Sequence, residues 1–546
     1  MKELRLITSA LPYVNNVPHL GNIVGSHLPA DIFVRYCRLV GHKAIFIGGT
    51  DEHGTATEIA AQKYGITPKE LCDSFYKIHK EIYDWFNFSY DNFSRTSKDI
   101  HHKTAQEFFL VLYKKGYLIE DYLKLPYCKK CNRQLSDRFI EGICPHCKND
   151  SARGDQCEKC GNILDPINLI EPRCAICKSK EIKFKDTKHL FFDLPKLSNK
   201  LEKWIKSNKH WREQVKNMAL AWIKEGLKPR CVTRNLEWGI KVPIKGYEDL
   251  VFYVWAEAAL GYISSTKEWD LNKWKDYWQK NGSKIYHFVG KDNIAFHTIL
   301  FPAELIAHGG FNLPYNVVGL QYLNFEGKKF SKSKGIGVFC ENLPNAGLGP
   351  DYWRFYLTFL IPENKDTDFS WKDFQNRINS DLIGNFSNFI NRTLKFIWNK
   401  FGGEIPKGKL DKNFVEEVKK RINNILKFYE DVELREALQE ILKLSDFGNK
   451  YFDSKKPWEN DDKNTILICA NLCKILGLLI QPILLDTSKK ILETLSCKDN
   501  DWEGLNKFDL NGKIKEPKIL FNKIEDKVIE DLKIKTSKVT DYFKKV

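Results

Sequence analysis

Long apolar runs are missing from this 546-residue sequence. No stretch approaches the roughly 18 consecutive apolar residues of a membrane span, so a helical membrane protein is excluded. The opening residues, Met-Lys-Glu-Leu-Arg-Leu-Ile-Thr, lack the apolar segment of a secretory leader and read as a strand. The expected location is the cytoplasm. Methionine is scarce, with two residues, in a composition rich in Lys, Asn and Ile. That bias weakens any argument from net charge: a formal +16 fits a polyanionic partner but does not select one. Apolar content is ample for two to four domains with real cores.

Cysteine is plentiful and unevenly placed. Eight of the 15 cysteines form four Cys-x-x-Cys pairs: Cys128/Cys131, Cys144/Cys147, Cys157/Cys160 and Cys174/Cys177. Twelve, nine and thirteen residues separate successive pairs. A Cys-x-x-Cys turn presents two thiolates on one knuckle, and two knuckles complete a tetrahedral zinc site. Four knuckles imply two zinc ions. A reducing compartment argues against disulfides, and no βαβ pattern surrounds the pairs to support a thioredoxin-like role. All-thiolate sites are closed and structural. His146, between two ligands, reads as a solvent-facing knuckle residue. The chemistry must lie on either side of this insertion.

Before it, Leu4–Ala10 reads as a buried strand, followed by a loop, Leu11–Pro18, and by His19-Leu-Gly-Asn22. A helix is expected next, with Leu28, Ile32, Tyr36 and Val40 on one stripe and Gly41 as its stop. Ala44–Thr50 is the next parallel strand. This βαβ start places His19, Asn22 and Asp51 at the carboxyl edge of a sheet, where ligands bind, and the helix start beside Gly21 offers free N–H groups to a phosphate. After the insertion, Ile285–Gly290 and Asn316–Gly319 read as further strands. The loop Gly327-Lys-Lys-Phe-Ser-Lys-Ser-Lys-Gly335 then supplies several cations and hydroxyls. Read alone, each motif has a plainer explanation, a capping turn or a solvated basic loop. Together they are a candidate phosphate clamp.

These residues resemble class I aminoacyl-tRNA synthetases, with His19-Leu-Gly-Asn22 similar to the His-Ile-Gly-His motif and Lys329-Phe-Ser-Lys-Ser333 to the Lys-Met-Ser-Lys-Ser motif. The closer resemblance is to the methionyl-tRNA synthetase family and covers nearly the whole chain. Its marks are Ala10-Leu-Pro-Tyr13, Gly49-Thr-Asp-Glu-His-Gly54, Val251-Phe-Tyr-Val-Trp255, Phe296-His297 and the knuckles. Asn22 stands where the motif has His, and Phe330 where it has Met. The resemblance implies an α/β fold: a Rossmann-type parallel-sheet catalytic domain split by a zinc-knuckle insertion, then an α-helical bundle. Its expected parts are 1–118 and 226–325 for the catalytic halves and 119–225 for the insertion, with knuckles over 128–177. Residues 326–375 carry the second motif loop, and 376–546 the anticodon-binding bundle and tail.

The resemblance also implies the reaction: ATP activates L-methionine, with Mg²⁺ accompanying ATP, and the methionyl group passes to tRNA(Met). It assigns His19, Asn22, Lys329 and Lys332 to catalysis and His19, Gly21, Asn22, Gly290, Asp292 and Lys332 to ATP. Ala10, Leu11, Tyr13, Asp51, Trp255, Ala259, Tyr262, Phe296 and His297 form the methionine pocket, with Asp51 receiving the ammonium. Asn388 and Arg392 match positions that read the CAU anticodon, and Trp458 fits a stacking platform for an unpaired base, with a buried core position as its alternative; without the resemblance the helical third reads as a purely structural bundle. By the same resemblance, the inner knuckle pairs share one zinc and the outer pairs the other, a pairing that spacing leaves open. The Lys-rich tail, 513–546, leaves no room for a dimerisation module, and a monomer is expected. Two alternatives are a different class I enzyme, either a synthetase for another amino acid or a small-molecule nucleotidylyltransferase, and a zinc-ribbon RNA-binding protein without catalysis. Trp255, Tyr262 and His297 argue against other amino acids, the helical third and Trp458 against a nucleotidylyltransferase, and His19, Asp292 and Lys332 against the non-enzyme.

Overall fold

The computed structural model describes the chain apart from residues 1, 136, 155–156, 158, 161, 163, 332–334, 461, 499–501, 541 and 544–546 and the side chain of residue 137. The catalytic half opens with β1 (Leu4–Ser9), α1 (Leu28–Leu39), β2 (Lys43–Thr50), α2 (Pro68–Trp85), β3 (Asn92–Arg95) and α3 (Asp99–Lys114). A long hairpin of β4 (Leu118–Cys128) and β5 (Ile182–Phe192) carries the insertion. The sheet resumes with α4 (Gly261–Trp269), β6 (Lys284–Gly290), α5 (Phe301–His308) and β7 (Asn316–Leu320). Its order is β7-β6-β1-β2-β3, all parallel. The order reverses between β1 and β6, so a crevice opens beyond their carboxyl ends, the place where such sheets bind ligands.

Both faces of the sheet are covered, as a parallel sheet requires. Successive residues of β1 serve opposite layers: Ile7 joins a core with Phe33, Phe46 and Phe288, and Leu6 one with Ile45, Ile285 and Val317. Helix α1 buries Leu28, Ile32 and Tyr36 as expected. It ends at Leu39, however, and Val40 turns outward, 36% exposed, before Gly41 at φ +88°. The expected stripe is therefore one residue too long. Helix α2 starts with a reciprocal cap between Thr67 and Glu70 and a proline at its first position.

Beyond α6 (Pro350–Phe359) comes a helical bundle: α7 (Asn388–Phe401), α8 (Lys412–Glu430), α9 (Leu434–Lys455) and α10 (Lys463–Leu479). The turn at Asp431–Glu433 folds α9 back along α8. Pro482 lacks an N–H and restricts its predecessor, so α10 stops at Leu479 and a separate helix starts at Leu485. One apolar core runs from Phe33 and Phe288 through Trp353 and Phe374 to Ile425 and Leu476. The bundle is thus packed on the catalytic half. The tail returns as well: after α11 (Asp526–Thr536), Thr536 O accepts from Phe339 N at 3.0 Å, and Phe543 packs near Tyr64 and Phe75.

Candidate active site and metal clusters

The two motif loops meet at the carboxyl edge of β1. His19 caps the following helix, its Nδ1 accepting from Gly21 N at 3.1 Å while Asn22 Oδ1 accepts from His19 N at 3.0 Å. This fixes the proton on His19 Nε2, which becomes a donor, and leaves the Asn22 amide nitrogen facing solvent. Packing holds the His19 pKa down at about 4, so the ring is neutral. A Cβ on Gly21 would come within 2.9 Å of the His19 ring, which accounts for glycine there. The helix continues through a π turn, Ile23–His27, a feature that sequence periodicity does not reveal.

The described flanks of the second motif loop, up to Ser331 and from Gly335, fold onto the first. Ser331 and Ile336 exchange backbone hydrogen bonds at 2.9 Å, Leu20 N donates to Val338 O at 3.2 Å, and Cys340 N donates to Pro18 O at 2.9 Å. Phe330, in the methionine position of the motif, stacks on His19 with centroids 4.5 Å apart and planes 11° apart. Gly337, at φ +140°, packs so closely beneath Phe330 that a Cβ would run into the ring. Lys329 is exposed beside this stack. Lys332 lies outside the described residues. Gly290 ends β6, and Asp292 follows it, exposed at the same edge.

Across β1 lies the candidate amino-acid pocket. Its two loops are tied together: Asp51 N donates to Pro12 O at 2.9 Å, and Tyr13 bridges to Asp51. Trp255 stacks on Phe296 at 4.3 Å and receives Tyr13 edge-on at 5.8 Å. Tyr262 is buried, and its hydroxyl lies 3.0 Å from His297 Nε2. Because His297 Nδ1 donates to Asn293 O at 2.9 Å, Tyr262 is the donor to Nε2, while its oxygen takes the N–H of Leu11. Phe296 and His297 sit on a second π turn, Phe296–Leu300. Ala10, whose N–H donates to Ser26 Oγ at 2.6 Å, and Ala259 complete the half-buried lining. Trp255 and Tyr262 do not share one continuous α-helix, since a 3₁₀ turn at Ala258–Leu260 separates them, yet both reach the Phe296–His297 pair.

Asp51 is the exceptional group. One oxygen takes the N–H of His53, and Oδ1, although buried, has no partner among the described residues. Burial, then the charge of Glu257, pushes its carboxyl well above the ordinary range. A buried, unpaired acceptor of this kind is complementary to an incoming cation. Sequence reading did not single out Glu257, His101 or His287. They are three buried polar residues behind the pocket, and their only signal was polarity within apolar segments.

The cysteines form two separate clusters, Cys128/Cys131/Cys174/Cys177 and Cys144/Cys147/Cys157/Cys160, with the ligand atoms of each within 4.8 Å of one another. This is the outer-with-outer and inner-with-inner pairing. Sulfur separations of 3.6 and 3.8 Å in the first and 3.5 and 3.8 Å in the second are far too long for disulfides and fit the edges of a tetrahedron around one metal ion. Asn132, Lys148 and Lys178, each following the second cysteine of a knuckle, have φ between 51° and 59°, which closes each turn. Glu141 ties the two clusters together through Arg153, Arg173 and Lys178 at 2.8–3.0 Å.

At the far end of the bundle, Asn388 and Arg392 both reach Asn449 Oδ1 at 3.4 Å, and Arg392 pairs with Asp453 at 2.5 Å. Trp458 is 47% exposed, its ring 6.0 Å from Phe452. It is not a core residue.

A Rossmann sheet with two stitched motif loops at its switch point and a helical domain beyond defines a class I aminoacyl-tRNA synthetase architecture. Residues 5–394 match the family model described as tRNA synthetases class I (M), and residues 402–541 match the anticodon binding domain of methionyl tRNA ligase. A methionine–tRNA ligase of Borreliella afzelii (strain PKo) is 44% identical over 98% of this chain and 75% of its own length. A probable cytoplasmic methionine–tRNA ligase of Dictyostelium discoideum is 43% identical over 93% of this chain and 70% of its own length. The solved Mycobacterium tuberculosis methionyl-tRNA synthetase in complex with methionyl-adenylate superposes with a TM-score of 0.80 at 24% identity, covering 95% of this chain and 100% of that one, which establishes the shared fold. The chain belongs to the methionine–tRNA ligase family of class I aminoacyl-tRNA synthetases. Among the described residues, no helix is long and apolar enough to cross a membrane.

Proposed function

We propose that this ligase activates L-methionine with ATP, giving methionyl-adenylate and pyrophosphate, and then transfers the methionyl group to the 3′ end of tRNA(Met). The observation that carries the reading is the unpaired Asp51 oxygen opposite an aromatic wall of Tyr13, Trp255 and Phe296, beside the stitched motif loops. Asp51 receives the ammonium, and the rings offer a polarisable thioether favourable sulfur–aromatic contacts. The Tyr262–His297 pair closes the pocket's end.

The carboxylate then attacks the α-phosphorus in line. Such transfers depend on positioning and charge stabilisation more than on a side-chain nucleophile. Neutral His19, through Nε2–H, and Asn22, through its amide, donate to phosphate oxygens. Lys329 and Lys332 meet the charge growing on pyrophosphate. Gly290 lets the adenosine approach, and Asp292 accepts from ribose hydroxyls. Mg²⁺ would be held chiefly by ATP's phosphates and water.

Each four-thiolate cluster suits a tetrahedral zinc ion, and a closed site of this kind would make it structural. Asn388, Arg392 and Trp458 face an unpaired anticodon loop, read by edge hydrogen bonds and stacking. We infer a monomer working in the cytoplasm. The test is aminoacylation of tRNA transcripts differing only at the anticodon. CAU is charged with methionine, and Trp458→Ala lowers kcat/KM for tRNA by about tenfold, the value of one stacked base. Equal charging of all anticodons would refute the assignment of the bundle.

A further inference from the structure

Behind the aromatic wall lies a buried chain of ionisable groups that the chemistry above does not use. Glu257 is fully buried, and each of its oxygens meets a different histidine: Oε1 lies 2.8 Å from His53 Nδ1, and Oε2 lies 2.7 Å from His101 Nε2. His101 continues through Nδ1 to Ser264 Oγ at 2.9 Å. The chain positions of these residues give the network its meaning. His53 follows Asp51 by two, Glu257 follows Trp255 by two, and Ser264 follows Tyr262 by two. The network therefore ties together the loop bearing the ammonium acceptor, the two segments bearing the aromatic walls, and α3.

A buried carboxylate survives only with its lone pairs met by good donors. Both histidines here are committed to Glu257 rather than to a substrate. The other titratable and charged groups around the bridge are Asp51 and Glu52 on the strand-end loop, His102 and Asp99 beside His101, and Glu304 on α5. Glu52 pairs with Arg95 at 2.7 Å and still adds to the charge that raises Asp51, after burial and Glu257, and the His102 ring lies 5.2 Å from His53.

We propose that the His53–Glu257–His101 bridge is the positioning device of the amino-acid pocket, fixing the Asp51 carboxylate against the Trp255–Tyr262 wall and keeping a fixed charge beside it. This rests on the reading of Asp51 as the acceptor of methionine's ammonium. The bridge touches neither substrate nor ATP, so it acts on methionine affinity rather than on the phosphate chemistry. It also acts on pH. Asp51 binds an ammonium only when ionised, and burial together with Glu257's charge raises the pH at which ionisation occurs. Removing that charge moves the acid limb of methionine kcat/KM to lower pH.

The experiment is methionine-dependent ATP–pyrophosphate exchange by the full chain from pH 5 to 9, for wild type and Glu257→Gln. In the variant, KM for methionine is expected to rise roughly ten- to hundredfold, the effect of a misplaced binding group. KM for ATP stays at the wild-type value, and the acid limb shifts downward. If Glu257→Gln does not fold, His101→Asn, which frees one carboxylate oxygen and keeps His53, gives the same methionine-selective loss. A folded Glu257→Gln protein with unchanged methionine KM and an unmoved acid limb would overturn the bridge's role. So would a loss shared equally by methionine and ATP. Failure of the wild type to exchange with methionine at any pH would sink the underlying functional reading, a result separate from any variant's behaviour.

Discussion

His19 shows what its surroundings do to a titratable group at this edge. Its pKa is held at about 4, below the usual 6.5, so it serves the phosphates as a neutral donor throughout the physiological range. His19→Ala is expected to lower kcat for exchange by roughly 10²–10³, the cost of one preorganised donor, while His19→Gln, keeping an N–H, retains more. Steady-state exchange kinetics decide between these outcomes. The stack of Phe330 on His19 is a second residue-level lever. Phe330→Ala removes an aromatic pair worth about 0.5–1.5 kcal/mol and should raise the ATP KM several-fold, with Phe330→Met close to wild type. An unchanged ATP KM in the alanine variant would show the stack to be incidental. Much of this site was legible as motif residues, but not the stack or the Glu257 bridge. Stacking joins Phe330 to a ring more than 300 positions away, and nothing in one sequence marks a buried Glu as paired with a particular His.

At the level of elements, the strands, the knuckles and α1 could be read because each has a local cause: apolar runs, paired thiols and a 3.6-residue stripe ended by glycine. The π turns at Ile23–His27 and Phe296–Leu300 could not, because no residue pattern in the sequence marks a shift from i→i+4 to i→i+5 bonding. The break after α10 has a local cause as well, because Pro482 cannot continue the helix. The knuckle element has a small core in which four buried cysteines sit among Leu135, Phe139, Ile140, Ala152, Leu164 and Leu169. It therefore depends on its metal for folding. Elemental analysis should give two zinc ions per chain, and one in Cys131→Ser and in Cys147→Ser alike. Chelation should raise hydrogen exchange across 128–177 while leaving α8–α10 protected. Protection of the knuckles in metal-free protein would contradict the element's dependence on zinc.

At the scale of the molecule, buried arginines hold the bundle to the catalytic half. Arg354 spans both: Nη2 pairs with Asp31 at 2.8 Å, Nη1 donates to Phe86 O, and Nε donates to Ile483 O at 2.6 Å. Arg5, 2% exposed in β1, pairs with Glu430 of α8 at 2.6 Å. Arg354→Ala leaves Asp31 paired with Arg35 and Ser89 but strands the buried carbonyls of Phe86, Pro482 and Ile483, and should cost about 3–5 kcal/mol, seen as a fall of several degrees in melting temperature. The whole chain should also be acid-labile. Burial depresses the pKa values of His27, His79, His189 and His297, so the unfolded chain takes up protons that the folded one cannot. Their stabilising contribution is complete above pH 6.5 and is lost as pH falls from there toward 4, by roughly 1–2 kcal/mol each near pH 5. Thermal melts across this range test it, and a melting temperature flat from pH 7 to 5 would contradict it. No single motif gave this scale away, because its contacts join residues hundreds of positions apart.

The most direct measurement is ATP–pyrophosphate exchange by the purified chain with each of the twenty amino acids in turn. Exchange with methionine alone, abolished by Asp51→Asn, is the predicted result. Exchange with a different amino acid would contradict the pocket, and silence with all twenty, in the presence of tRNA as well as its absence, would contradict the enzyme.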